Sequence, residues 1–248
     1  MMTFRLAPVT KALLFTHLGI FLFQNILDRF FGTSLLEIFA LIPHAFVIEF
    51  KFWQIFTYGF LHGDVTHILL NMLMLVFIGS ELESLWGVKR YLSFYFFCTV
   101  IAGVAYLLMQ MIFYQGVASM TPMVGASGAI YGLLLSYGIF FGDRVMLFMM
   151  LFPMKAKQFV WILAAVEFFS ALFSQRGGLS SIAHLGGMVG GIIYLFAETR
   201  YRISQKDKRN PSKQRIKKPK NHLKLVINNV KTFDRDPDSK KSDPKTWH

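Results

Sequence analysis

The chain has 248 residues, of which 54% are hydrophobic and 16% charged, with 27 Phe and 13 Met. Apolar residues gathered into long blocks exclude an ordinary water-soluble domain and make lipid the expected solvent. The net charge of +12 is concentrated from Arg200 onward, where 16 Lys and Arg face 5 Asp; a basic stretch directly after a membrane helix reads as a topology signal or a headgroup contact rather than a nucleic-acid site.

A helix of about 20 residues crosses an apolar layer about 30 Å thick. Six blocks come near that length, at 12–31, 65–84, 91–114, 123–141, 157–174 and 182–199. The first follows Arg5 and Lys11 as a signal peptide would, yet Asp28 and Arg29 come after it with no small-residue cleavage site, so it is read as a retained span. Residues 32–64 are rich in Phe, Leu and Ile but broken by Gly32, Pro43, His44, Glu49 and Lys51, which predicts an external segment lying in or on the interface. Cys98, the single cysteine, sits inside the third block, so one chain can build neither a disulfide framework nor a thiolate metal site. Residues 145–154 end in Pro153 ahead of Lys155 and Lys157 and read as an internal interfacial segment. From Tyr201 the chain is charged and interrupted by Pro; only Leu223 to Val230 could be ordered, as a short strand. The expected fold is an all-α membrane protein, with a six-helix bundle over residues 1–200 and a basic, largely disordered cytoplasmic tail over 201–248.

Orientation follows from the short connections. With the N-terminus inside, Arg5, Lys11, Lys89, Arg90, Arg144, Lys155 and Lys157 are internal, against Arg29, Lys51 and Arg176 outside. Both termini are therefore expected in the cytoplasm. Spans two, four and six then enter from the outer face, and each carries unusual polar residues in its first turns: His67 and Asn71, Ser127, and His184. Polar groups inside spans are costly and point to function. His67 and Asn71 are i and i+4 on one helix face, as are Ser127 and Tyr131. Gly125, Ala126, Gly128 and Gly132 surround the serine, and Gly187 and Gly191 follow the histidine, so small faces would let these helices approach closely.

Gly125-Ala126-Ser127-Gly128 followed by Tyr131, Ala183-His184 followed by Gly187 and Gly191, and His67-Ile68-Leu69-Leu70-Asn71 together resemble the motif sets of the rhomboid family. Trp53, His62 and Glu83 extend the likeness; Gln54 departs from it, since many relatives place arginine after that tryptophan. The resemblance implies a serine endopeptidase acting within the membrane of a bacterial cell, on membrane proteins of one or more spans, cutting near the outer ends of their helices. It implies Ser127 as nucleophile, His184 as base, His67 and Asn71 with the Ser127 amide as oxyanion donors, and Tyr131 packed on the His184 ring. Gly125 and Gly128 support the serine. Such a dyad needs no cofactor.

An orienting carboxylate is not expected: Asp143 is internal, Asp64 external and suited to cap span two, and Glu167 is placed near mid-membrane. A paired-aspartate protease fails because Asp64 and Asp143 lie at opposite faces. The His-Glu-x-x-His signature of zinc proteases is absent, although His62, His67 and His184 could meet at a metal. A non-catalytic binder of transmembrane helices is the alternative within the family, against which stands the presence of both Ser127 and His184. A transporter would need paired broken helices or an internal charge pathway, and neither is evident.

Overall fold

The computed structural model describes residues 6–32, 34–113, 119–148, 152–174 and 178–209. It is mostly helical. Among the described residues, five helical stretches are long and apolar enough to cross a membrane: Pro8–Phe31, Val65–Trp86, Val88–Phe113, Ala156–Phe173 and Gly178–Lys206. In chain order the helices are α1 (Pro8–Phe31), α2 (Leu35–Phe39), α3 (Pro43–Val47), α4 (Gln54–Thr57), α5 (Val65–Met74), α6 (Ser80–Trp86), α7 (Val88–Phe113), α8 (Ser127–Phe140), α9 (Ala156–Phe173) and α10 (Gly178–Arg209). A 3-10 turn, Tyr58–Phe60, follows α4, and a π-helical turn, Leu75–Gly79, joins α5 to α6. The chain divides into two units, Met1–Ile203 and Ser204–His248. Leu223 to Val230, the expected strand, lies outside the described residues.

Three expectations are revised. The fourth apolar block, expected as a helix over 123–141, becomes helical only at Ser127 and has 14 residues. Pro122 lacks an amide hydrogen and Gly125 adopts φ +116°, so the approach is extended and Met123 instead pairs with Leu41 in an antiparallel bridge. Residues 145–154 contain a hairpin, β1 (Val145–Phe148) against β2 (Phe152–Lys155), so the fold is not purely helical. Its end is held by Lys157 Nζ, 2.7 Å from Asp143 Oδ1 in the exposed turn before β1. The last helix runs on to Arg209, beyond the span end expected at 199, with Glu198 paired to Arg90 on α7 at 2.6 Å and to Arg202 one turn on at 2.6 Å. Residues 34–64 contain the short helices α2, α3 and α4, none of them long enough to span.

The outward faces are apolar. Phe15, Leu22, Trp161, Phe169 and Phe173 are all largely exposed, which in water would be an aggregation surface and in lipid is ordinary. Polar contacts are kept inside. Helix α1 has no side-chain cap of its own; Glu83 on α6 supplies one, its carboxylate accepting from the Val9 and Thr10 amides at 2.8 and 2.7 Å and from the Thr10 hydroxyl at 2.8 Å. A negative group at a helix N-terminus satisfies free amides and complements the dipole.

Gln54, the departure from the family pattern, is fully buried. Its Oε1 accepts from the Ile42 amide at 3.1 Å and its Nε2 donates to the Ile38 carbonyl at 3.3 Å, while Trp53 Nε1 donates to the same carbonyl at 2.9 Å. The amide thus both donates and accepts where an arginine could only donate. This pair ties the backbone of Ile38 and Ile42 to the start of α4.

Candidate active site

Helix α7 forms the backing of the site. Its Ala102 and Cys98 lie so close to α8 that a Cβ on Gly128 would fall 2.4 Å from Ala102 Cβ, and one on Gly132 2.5 Å from Cys98 Sγ. On the other side, a Cβ on Gly187 would fall 1.9 Å from the Gly128 carbonyl oxygen. Helix α10 therefore runs against α8 backbone to backbone, and the two side chains nearest that contact meet: Ser127 Oγ lies 2.8 Å from His184 Nε2. The Tyr131 ring, one turn along α8, stacks on the His184 imidazole with centroids 4.1 Å apart and planes 7° apart.

Gly125 closes the pocket from the loop side. A Cβ there would sit 2.6 Å from His67 Nε2 and 3.7 Å from Ser127 Oγ, which places the imidazole of α5 beside the serine. Asp64 caps α5 by accepting from the His67 amide at 2.8 Å. Asn71 lies one turn below His67, is 6% exposed, and its Nδ2 is a buried donor with no partner among the described residues. Ser127 is the first residue of α8, so its backbone N–H is among those that a helix leaves without an internal acceptor. His62 is buried against His67, ring centroids 5.1 Å apart. It packs in turn on His17 of α1, at 5.4 Å. Among the described residues no three His, Cys, Asp or Glu side chains are grouped to hold a metal ion.

A family model described as the Rhomboid domain matches residues 49–201. The chain belongs to the rhomboid family. It is 32% identical to RHOMBOID-like protein 1 of Arabidopsis thaliana over 186 residues, 72% of this chain and 44% of that protein. It is also 32% identical to Rhomboid protein 1, mitochondrial, of Saccharomyces cerevisiae over 141 residues, 55% of this chain and 39% of that one. With Rhomboid-like protease 5 of Toxoplasma gondii it shares 32% over 144 residues, 57% of this chain and 16% of that protein. The matches thus span less than half the length of each of these relatives. Membership and the apolar helices make this rhomboid an integral, multi-pass membrane protein.

The expectation that no carboxylate would reach the histidine does not hold. Glu167 on α9 lies with Oε1 3.0 Å from His184 Nδ1, and the Tyr131 hydroxyl donates to that same oxygen. The signal is present in the sequence: Glu167 is the only acidic residue of α9, inside an apolar helix. Placing it near mid-membrane underestimates its height, because it stands six residues before the end of α9 and His184 six residues after the start of α10. At 1.5 Å per residue both are about 9 Å from the same end of the bundle.

Proposed function

We propose that this rhomboid is an intramembrane serine endopeptidase that hydrolyses peptide bonds near the outer ends of transmembrane helices in membrane-protein substrates. The observation that carries the reading is the 2.8 Å contact between Ser127 Oγ and His184 Nε2, with His67 at the adjoining Gly125 and, one turn along α5, a buried Asn71 amide donor without a partner among the described residues. A neutral imidazole accepting at Nε2 removes the hydroxyl proton as Oγ attacks the scissile carbonyl. The oxyanion then accepts hydrogen bonds from Asn71 Nδ2, His67 and the Ser127 N–H, at the positive end of α8. His184 returns the proton to the leaving amine, which departs; water, deprotonated by the same imidazole, hydrolyses the ester and frees Ser127. Tyr131 keeps the ring in plane throughout, and Gly125 leaves room for His67.

The reading includes six spans, with the 14-residue α8 as the fourth. It also includes both termini on the cytoplasmic side of a bacterial inner membrane, and residues 201–248 as a basic cytoplasmic tail beyond the catalytic domain of residues 1–200. The excess of Lys and Arg in the connections assigned to the inside supports that sidedness. The same family reading without chemistry, a binder of transmembrane helices, would leave the Ser127 contact unused.

Purified protein in lipid vesicles, given a single-span substrate tagged at both ends, is expected to release a fragment whose new N-terminus maps to the external third of the helix. A cut toward the cytoplasmic end would overturn the sidedness, and no cut in any of a panel of helices with small residues would overturn the activity. Asn71→Ala is expected to lower kcat by about tenfold to a thousandfold without abolishing it, because one of several oxyanion donors is lost. An unchanged kcat would remove Asn71 from the oxyanion site.

A further inference from the structure

The buried face of α9 is narrow: Ala156, Val160 and Glu167 are its buried residues, and they fall on one stripe, four and then seven residues apart. Around Glu167 the helix is lipid-like, with Val166, Phe168 and Phe169 each more than half exposed. A carboxylate at such a position is expensive unless it has partners and a use. Its partners come from two helices. Tyr131 of α8 donates to Oε1, and His184 of α10 faces the same oxygen. His184 Nδ1 is 3.0 Å from Oε1, but off the direction of the ring N–H, so that nitrogen makes no directed hydrogen bond.

Resting on the serine protease reading above, we propose that Glu167 is a positioning residue for His184, its carboxylate holding the proton-bearing Nδ1 and stabilising the imidazolium that forms when Ser127 gives up its proton. The tautomer argument leads there. If Nε2 accepts from Ser127, the neutral ring carries its one proton on Nδ1, and the oxygen nearest to Nδ1 is Glu167 Oε1. When the ring takes the serine proton it becomes a cation about 3 Å from a fixed anion in surroundings of low dielectric, where such attraction is strong. A small tilt of the ring on substrate binding turns the contact into a directed hydrogen bond, as catalytic bonds often tighten only in the complex. Tyr131 then has two tasks, stacking on the imidazole and fixing the carboxylate against it.

Glu167→Gln tests the charge alone, since the amide keeps the shape and still presents an oxygen to Tyr131. Its kcat on a single-span substrate is expected to fall about ten- to a hundredfold with KM within about twofold. The rate of Ser127 labelling by a fluorophosphonate should fall in parallel. Glu167→Asp, shorter by one methylene but still charged, should keep most of the activity that Gln loses, and both variants should melt with the parent. Wild-type kcat and labelling in Glu167→Gln overturn the inference. So does loss of Glu167→Gln by unfolding, or equal impairment in Gln and Asp, because either would assign the carboxylate to holding the bundle. Ser127→Ala run alongside separates the two levels. If it still cleaves, the protease reading has failed and this inference with it. If it is dead while Glu167→Gln matches wild type, only the role of Glu167 has failed.

Discussion

Replacing Ser127 by alanine is expected to bring cleavage to background, a loss of at least about 10⁴-fold, with the bundle intact. The exchange removes one oxygen from a position between Ala126 and Gly128, so no packing is disturbed, and His184 Nε2 loses only the partner it holds at 2.8 Å. His184→Ala should be equally inactive and should also lose fluorophosphonate labelling, because an unassisted hydroxyl is a weak nucleophile. The pair is informative together. Cleavage that survives in purified Ser127→Ala would exclude the serine as nucleophile, and labelling that survives in His184→Ala would require another base.

The second large effect is steric. In Gly187→Ala the new methyl would lie 1.9 Å from the Gly128 carbonyl oxygen and 2.7 Å from its carbon, all backbone that no rotamer change can move. Helices α8 and α10 must separate, and the Ser127 to His184 contact opens with them. A loss of about 1–3 kcal/mol or more is expected from overpacking of this kind, with cleavage reduced by about a hundredfold or more as the dyad spreads. Gly191→Ala is the control on the same helix face, since its Cβ would meet the Gly132 oxygen at 3.3 Å and Phe94 Cζ at 3.3 Å. Thermal unfolding in detergent and substrate cleavage should rank Gly187→Ala far below Gly191→Ala. Equal tolerance at the two positions would mean that the seam is not as tight as the backbone contact indicates.

Much of this arrangement is legible in the amino-acid sequence. Blocks of apolar residues locate the long helices to within a few residues, except for the polar C-terminal end of α10, because lipid leaves few alternatives to continuous backbone pairing. The polar residues that meet at the site stand out for the same reason. What the sequence hides depends on neighbours far apart along the chain. Residues 123–126 are apolar enough to continue a helix, and only Pro122, the left-handed Gly125 and the bridge to Leu41 keep them extended. The hairpin over 145–155 is short and apolar, and periodicity cannot tell its strand pairing from an interfacial helix. Gln54 reads as a missing arginine, whereas its two bonds to the Ile38 and Ile42 backbone give it a task of its own. Glu167 is misplaced by its height along a helix, where a few residues move a side chain from the centre of the bilayer to the level of the histidine.

The π-helical turn at Leu75–Gly79 has a consequence for how the second long helix can change. Bonds from i to i+5 lodge one residue more in the turn than an α-helix holds, so everything after Gly79 is rotated by roughly 100° relative to a helical wheel drawn from Val65. The half before the turn holds His67 against Gly125 at the entry to α8, with Asn71 one turn on, and the half after it aims Ser80 and Glu83 at the start of α1. Removing a single residue from the turn would give a smoother helix of nearly the same length, and would swing the Glu83 clamp out of phase with α1 while leaving His67 and Asn71 where they are. The length of that turn therefore sets the angle between two tasks carried by one rod.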